Sequence, residues 1–221
     1  IDNSNTTSLI QGNPDLGQQR TNSFHLAFRR VDKSFNKSLF FVVSGQMSDN
    51  YIVSTNYTAL NDSVLNGGIV LYSGSQLNSY LNMKGYSNLR SFLTFSLPIK
   101  PIRCSISFNG GYSWSKLPGL VNNEVNTVVS DYPFAGISIN SNISDNIDFR
   151  VSYSSGYNMV NNELQSTSNY NYYSGKLNGK MNLTLLKRFT LSADMSYNHY
   201  AGTGNLSENN NLILNSGLGI M

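Results

Sequence analysis

The sequence predicts an all-β protein: an antiparallel up-and-down meander of about nine long strands, part of a transmembrane outer-membrane β-barrel. Three observations predict it. Apolar and polar residues alternate with a period of two over long stretches, which is the pattern of a sheet with two different faces. Many stretches reach ten residues or more, whereas strands of globular proteins mostly run to about five or six. The connections between them alternate between short and long, as they do in barrels that cross an outer membrane.

Composition agrees with this reading. Of the 221 residues only 12% are charged, against about 25% in an ordinary soluble domain. The deficit is filled by 32 Asn and 33 Ser, with 18 Gly besides. Aromatic residues make up 12%, as 14 Tyr, 11 Phe and one Trp. A coiled coil or helical bundle would be rich in Ala, Glu, Lys and Leu instead. One cysteine, Cys104, excludes a disulfide scaffold. The supply of Phe, Tyr, Ile and Val argues against disorder.

Along the chain, weak alternation comes first: Phe24, Leu26, Phe28; then Leu39, Phe41, Val43; then Leu89, Leu93, Phe95, Leu97. From Ile102 it is regular, with Ile102, Cys104, Ile106, Phe108, Gly110, Tyr112 and Trp114 against Arg103, Ser105, Ser107, Asn109, Gly111 and Ser113. Further stretches centre on Ala135-Ile137-Ile139-Ile143, on Ile147 to Tyr153, on Leu177 to Leu185, on Phe189 to Tyr197 and on Leu212 to Ile220. Tight connections are expected at residues 32–36, 100–101, 144–146 and 186–188, and long polar ones within 56–78, 116–126, 160–169 and 202–211. The chain reads as one barrel segment over residues 1–221, with a leading loop at 1–19 and strands and loops over 20–221. It starts without Met and stops inside an apolar pattern, so it reads as an internal fragment.

The pleat sends neighbouring residues to opposite faces. Ile106, Phe108, Val151, Leu183 and Leu191 are therefore expected to face outward, and Ser107, Asn109, Ser152, Asn182 and Ser192 to face the concave side. Outward residues are odd on both sides of Lys187. A three-residue turn there places Leu185 opposite Phe189, Leu183 opposite Leu191, Met181 opposite Ala193 and Lys180 opposite Asp194. An odd strand count leaves open edges at the strands of Ser23 and Asn215. Aromatics gather near strand ends (Tyr112, Trp114, Tyr132, Phe134, Tyr153, Tyr157, Tyr170, Tyr172, Tyr173, Tyr197, Tyr200), as an interfacial girdle would. A soluble β-sandwich or β-solenoid also alternates, but its strands are shorter and its turns do not sort into two length classes.

A polar inner face meets whatever passes through a barrel, so the candidate site consists of Asn109, Asp148, Arg150, Lys176, Asn178, Lys180, Asn182 and Asp194. Loops on a rigid scaffold commonly carry ligand contacts, which adds Lys116, Asn122, Asn123, Glu124, Asn161, Asn162 and Glu163. No enzyme chemistry is expected. His25 and His199 lie far apart in sequence and make no metal-ligand spacing with Cys104. Cys104 sits in the apolar phase, as a small lipid-facing or packed thiol. No nucleophile elbow, phosphate loop or dinucleotide fingerprint is present, so no cofactor is expected. The net charge of +3 is scattered, which argues against a nucleic-acid partner.

Gly12-Asn13-Pro14-Asp15-Leu16, followed by Arg20-Thr21-Asn22-Ser23-Phe24, resembles the barrel of TonB-dependent receptors. Tyr112-Ser113-Trp114-Ser115-Lys116-Leu117-Pro118-Gly119-Leu120, Asn142-Ile143-Ser144-Asp145-Asn146-Ile147-Asp148-Phe149, the Tyr170 to Tyr173 opening and Asn198-His199-Tyr200-Ala201-Gly202 resemble the Bacteroidetes branch of that superfamily. The resemblance implies the C-terminal part of such a barrel, in the outer membrane and serving nutrient uptake. Its implied partners are outer-membrane lipid, TonB through a plug domain, a surface lipoprotein and a nutrient ligand. The plug domain with its TonB box, and a last strand ending in an aromatic, are not in this sequence. The alternatives are a barrel that anchors a surface adhesion or assembly protein, and a soluble secreted all-β binding protein.

Overall fold

A computed structural model describes residues 7–34, 36–65, 68–141, 143–144, 146–164, 169–186, 188–202 and 208–220. Phe35, Asn142, Asp145 and Lys187, and parts of the expected loops at 160–169 and 202–211, lie outside them. The chain is all-β. Nine long strands form a continuous antiparallel meander in chain order: β2 (Arg20–Asp32), β3 (Lys37–Asp49), β8 (Tyr86–Ile99), β9 (Cys104–Val121), β10 (Glu124–Ser141), β11 (Ile147–Asn162), β12 (Tyr170–Leu185), β13 (Phe189–Gly202) and β14 (Asn209–Ile220). The sheet is open: among the described residues β2 pairs only with β3, and β14 only with β13. These are the edges expected at Ser23 and Asn215.

The register separates two faces. Phe95, Phe108, Ile137, Tyr153, Leu177, Tyr197 and Leu212 form one row of directly opposed residues across seven strands. The next row is Ser38, Ser96, Ser107, Ser138, Ser152, Asn178 and Ser196, on the opposite face because the pleat alternates. The Ser96 and Ser107 hydroxyls bond each other at 2.8 Å, and Ser196 Oγ donates to Asn178 Oδ1 at 3.1 Å. Among the described residues no second sheet covers the apolar face: Phe108 is 44% exposed and Leu218 86%. The hairpin at 186–188 has the expected register, with Leu185 opposite Phe189 and Lys180 opposite Asp194.

The connections at one rim are short: residues 33–36, 100–103, 142–146 and 186–188. The second of these is a 3-10 turn, Lys100–Ile102, closed by Arg103 at φ 48°, so the following strand starts at Cys104 rather than Ile102. Cys104 is buried and its thiol donates to the Ile102 carbonyl at 3.3 Å.

Four expectations are corrected. The sheet is not purely antiparallel, because two parallel pairs join a lobe to it. β4 (Tyr51–Thr58) and β7 (Gln76–Met83) continue the β3/β8 hairpin in the same register, from Ser48 opposite Tyr86 to Tyr51 opposite Met83. Asn50 (φ 52°) and Gly85 (φ 97°) kink it there. In the meander β8 lies next to β9, but past the kink it is β4 that meets β9, with Thr55 opposite Leu120 and Asn56 opposite Val121. The hairpin has rolled over, and since β3 and β9 run the same way this contact is parallel.

The leading segment is also more than a loop. β1 (Ser8–Ile10) adds in parallel to β7, fixed by Gln76 N–H to Thr7 O at 2.9 Å and Gln11 N–H to Asn78 O at 2.8 Å. The expected loop at 56–78 is largely ordered lobe. It includes the small hairpin β5 (Ser63–Val64) and β6 (Val70–Leu71), and it encloses a core of Leu9, Ala59 and Leu71. Finally, there is no long loop at 116–126. β9 and β10 run out to a two-residue turn, Asn122-Asn123, with φ 48° and 67°. That sign at both central residues is what a hairpin turn matching the sheet twist requires, and Asn tolerates it.

Candidate functional site

The meander places all eight candidate polar residues on one face. Asn140, Arg150, Lys180, Asp194 and Asn215 form one row of directly opposed residues. Asp148 opposes Asn182, and Asn178 lies between Ser152 and Ser196. Lys176 opposes Ser154, which connects through Gly136 to Asn109. Strand alternation does this work: Asp148 and Arg150 on β11, and Lys176, Asn178, Lys180 and Asn182 on β12, follow one another at two-residue steps.

Arg150, Ser152, Asn178, Lys180, Asp194, Ser196 and Asn215 line an open cleft of about 390 Å³. Directly opposed residues have Cβ atoms about 4.5–5.5 Å apart, so Arg150 and Lys180 set two cations side by side and Asp194 sets a carboxylate next to Lys180. Lys180 and Asp194 do not close into a contact ion pair. Their heads stay in solvent, so the cleft offers separate donors and acceptors to a solute rather than a neutralised pair. This face can hold polar solutes by hydrogen bonds and weak charge contacts. Among the described residues no three His, Cys, Asp or Glu side chains are grouped to hold a metal ion.

The loop candidates do not assemble with these residues. Lys116 is within β9, opposite Ser87 and Val129 and on the apolar face. Asn122 and Asn123 form the turn, where Asn122 Oδ1 accepts the Thr58 N–H at 3.1 Å and its own N–H donates to Asn56 O at 3.2 Å. Asn122 thus holds the lobe against the β9/β10 hairpin. Glu124 opposes Val121 inside that hairpin. Asn161 and Asn162 end β11, opposite Val129 and Val128. Glu163 follows, its N–H bonded to Thr127 O at 3.1 Å.

Sequence reasoning missed an aromatic run on the polar face. Phe40 and Phe92 meet edge to face with centroids 6.5 Å apart, Phe92 and Phe134 stack at 6.2 Å, and Tyr132 and Phe134 stack at 5.8 Å. The rings span β3 to β10 over Gly111, where a Cβ would strike the Ser91 carbonyl and the Phe134 ring. Only glycine leaves room for such a crossing. Tyr132 and Phe134 therefore do not belong to an outward girdle, nor do Tyr170, Tyr172 and Tyr200, which share this face. The signal was in the sequence, because Phe40, Phe92 and Phe134 each fall out of phase with their apolar neighbours.

Compared with known protein families and with curated proteins, the chain matches none.

Proposed function

We propose that this chain is part of an outer-membrane β-barrel that takes up nutrient solutes, in the manner implied by its resemblance to TonB-dependent receptors. The observation that carries the reading is the uncovered apolar face of a nine-strand meander. Its side chains form continuous rows on which, among the described residues, no second layer packs, while the other face carries Ser, Asn, Lys, Arg and Asp beside the aromatic run from Phe40 to Tyr132. Lipid solvates a face of that kind without penalty, and water solvates its reverse. The lobe and the connections at 163–169 and 203–208 lie at one rim, which the β9/β10 hairpin also reaches through its two-residue turn, and short connections close the other rim. The cleft around Arg150, Lys180 and Asp194 is the contact surface for the solute, and the role is binding and passage rather than catalysis.

Trp114, the single tryptophan, tests this. It lies on the apolar face, opposite Leu89 and Asp131. In phospholipid vesicles its fluorescence should be quenched by lipids brominated near the headgroup and protected from aqueous iodide. Full iodide access with no quenching by brominated lipid, together with a polypeptide that stays in the aqueous phase on detergent partition, would overturn the membrane reading.

A further inference from the structure

One small cradle interrupts the apolar face near the rim of the longer connections. Tyr153, Leu177 and Tyr197 oppose one another on β11, β12 and β13. In the next row toward that rim come Gly175 and His199, then Asn210. Gly175 is buried, and a Cβ there would lie 3.2 Å from the Tyr173 ring and 3.4 Å from the Tyr153 hydroxyl. The absent side chain lets the Tyr173 ring and the Tyr153 hydroxyl lie close over this backbone at the base of the cavity. The cavity is about 290 Å³, lined by Tyr153, Gly175, Leu177, Tyr197, His199 and Glu208.

The polar atoms of its walls are already engaged. The Tyr153 and Tyr173 hydroxyls bond each other. Asn210 Oδ1 accepts from the Tyr197 hydroxyl at 3.2 Å and from His199 Nδ1 at 2.6 Å. What remains for a ligand is the faces of the tyrosine rings and the Glu208 carboxylate, whose Oε1 is 3.5 Å from His199 Nδ1 and whose side chain is 64% exposed. A sugar would find few unengaged hydroxyl partners here. A cation would find everything it needs: ring faces attract it within about 6 Å of their centroids, and a carboxylate supplies the opposite charge. Strands lie about 4.8 Å apart, so Tyr153 and Tyr197, two strands apart, stand roughly 10 Å from each other and can flank one such group.

We propose that this cradle binds an alkylammonium group, either free or as the headgroup of a phospholipid. Tyr153 and Tyr197 supply the walls and Glu208 the counter-charge, Gly175 makes room for the tyrosines at the base, and Tyr173 positions Tyr153 through their shared hydroxyl bond. The headgroup source rests on the membrane reading above; the cation site does not.

The test is titration of the whole chain, folded in a maltoside detergent that carries no ammonium, with tetramethylammonium chloride, followed by saturation-transfer NMR on its methyl protons. Saturable binding is expected. Tyr197→Ala and Glu208→Gln should each weaken it tenfold or more, Tyr197→Phe should retain it, and Asp15→Asn should leave it unchanged. No saturable binding, or no effect of Glu208→Gln in a chain with an unaltered circular dichroism spectrum, overturns the proposal. So does equal binding of methyl glucoside. Tighter association with phosphatidylcholine than with phosphatidylglycerol vesicles, lost in the Glu208→Gln chain, identifies the headgroup as the source. Tetramethylammonium binding in a chain whose Trp114 is not quenched by brominated lipid keeps the cation site and removes the barrel.

Discussion

The lobe and the meander use apolar residues in opposite ways. The lobe is built from fewer and shorter strands, yet Leu71 (0% exposed) and Leu9 (1%), the most completely buried large side chains, are both in it. The meander has many more apolar residues, and its longest rows leave them uncovered, from Phe24 and Phe28 on β2 to Leu214 and Leu218 on β14. A small dry core is what a water-soluble fold makes. A large uncovered apolar face marks a surface that meets something apolar. The difference places the lobe in water and the meander in lipid under the proposed function.

The largest expected effect is in the lobe. Leu71→Ala removes the centre of its core, with a cost of about 2–5 kcal/mol. Amide hydrogen exchange should speed up along β4 and β7 while β12 and β13 stay protected. Equal acceleration throughout would show that lobe and meander are one cooperative unit, and the comparison would fail.

Phe108→Arg asks the converse of the meander. At the middle of a lipid-facing strand, an arginine costs about 2–4 kcal/mol. On a face exposed to water, the same change stays within about 0.5 kcal/mol. Denaturant unfolding in vesicles, read from Trp114 fluorescence, separates the two. A negligible cost in vesicles would place the face outside lipid.

How much of this was legible follows from what alternation can and cannot carry. Parity alone placed Asn109, Arg150, Lys180 and Asp194 on one face, and together with a three-residue turn at 186–188 it gave the β12/β13 register, because from Leu177 to Tyr197 one face of those strands is apolar apart from Gly179. The lobe was hidden because β4 is short and its parallel contact with β9 arises from a hairpin rolling over at Asn50 and Gly85, which no period records. Around Asn122-Asn123 the residues from Lys116 to Asn126 are mixed in polarity, so alternation predicts a loop there. The signal for a two-residue turn was nevertheless there: two adjacent asparagines, each able to take positive φ. The tyrosine cradle was invisible for a different reason. Its parts come from four strands and meet only once the register of all four is known.

The β9/β10 turn offers a middle-sized test of the contact between the two regions. Asn122→Val places a β-branched residue at φ 48° and removes the side-chain bond to Thr58. The left-handed backbone alone costs about 1–2 kcal/mol. The loss should be seen as faster exchange at the Thr58 amide before any change in the β9/β10 ladder. If both open together, the turn holds the hairpin rather than the lobe.

The smallest effect probes the register of the meander itself. Lys180 and Asp194 are opposed and exposed without closing into an ion pair, so exchanging them (Lys180→Asp with Asp194→Lys) should shift stability by no more than about 1 kcal/mol, as for exposed pairs in general. The exchange is not fully symmetric, because Arg150 stands opposite position 180 and Asn215 opposite 194. It gives Arg150 an acidic neighbour, so the double variant should equal or slightly exceed the parent. Asp194→Lys alone should be worse than the exchange by about 0.2–1 kcal/mol, since it sets three cations in one row. Salt narrows that gap, because exposed charges are screened over about 8 Å at physiological ionic strength. Urea unfolding of the parent and both variants, at low and high salt, measures it. If the single variant matches the parent at low salt, the two positions do not sense each other and the cleft has no charge pattern to offer a solute.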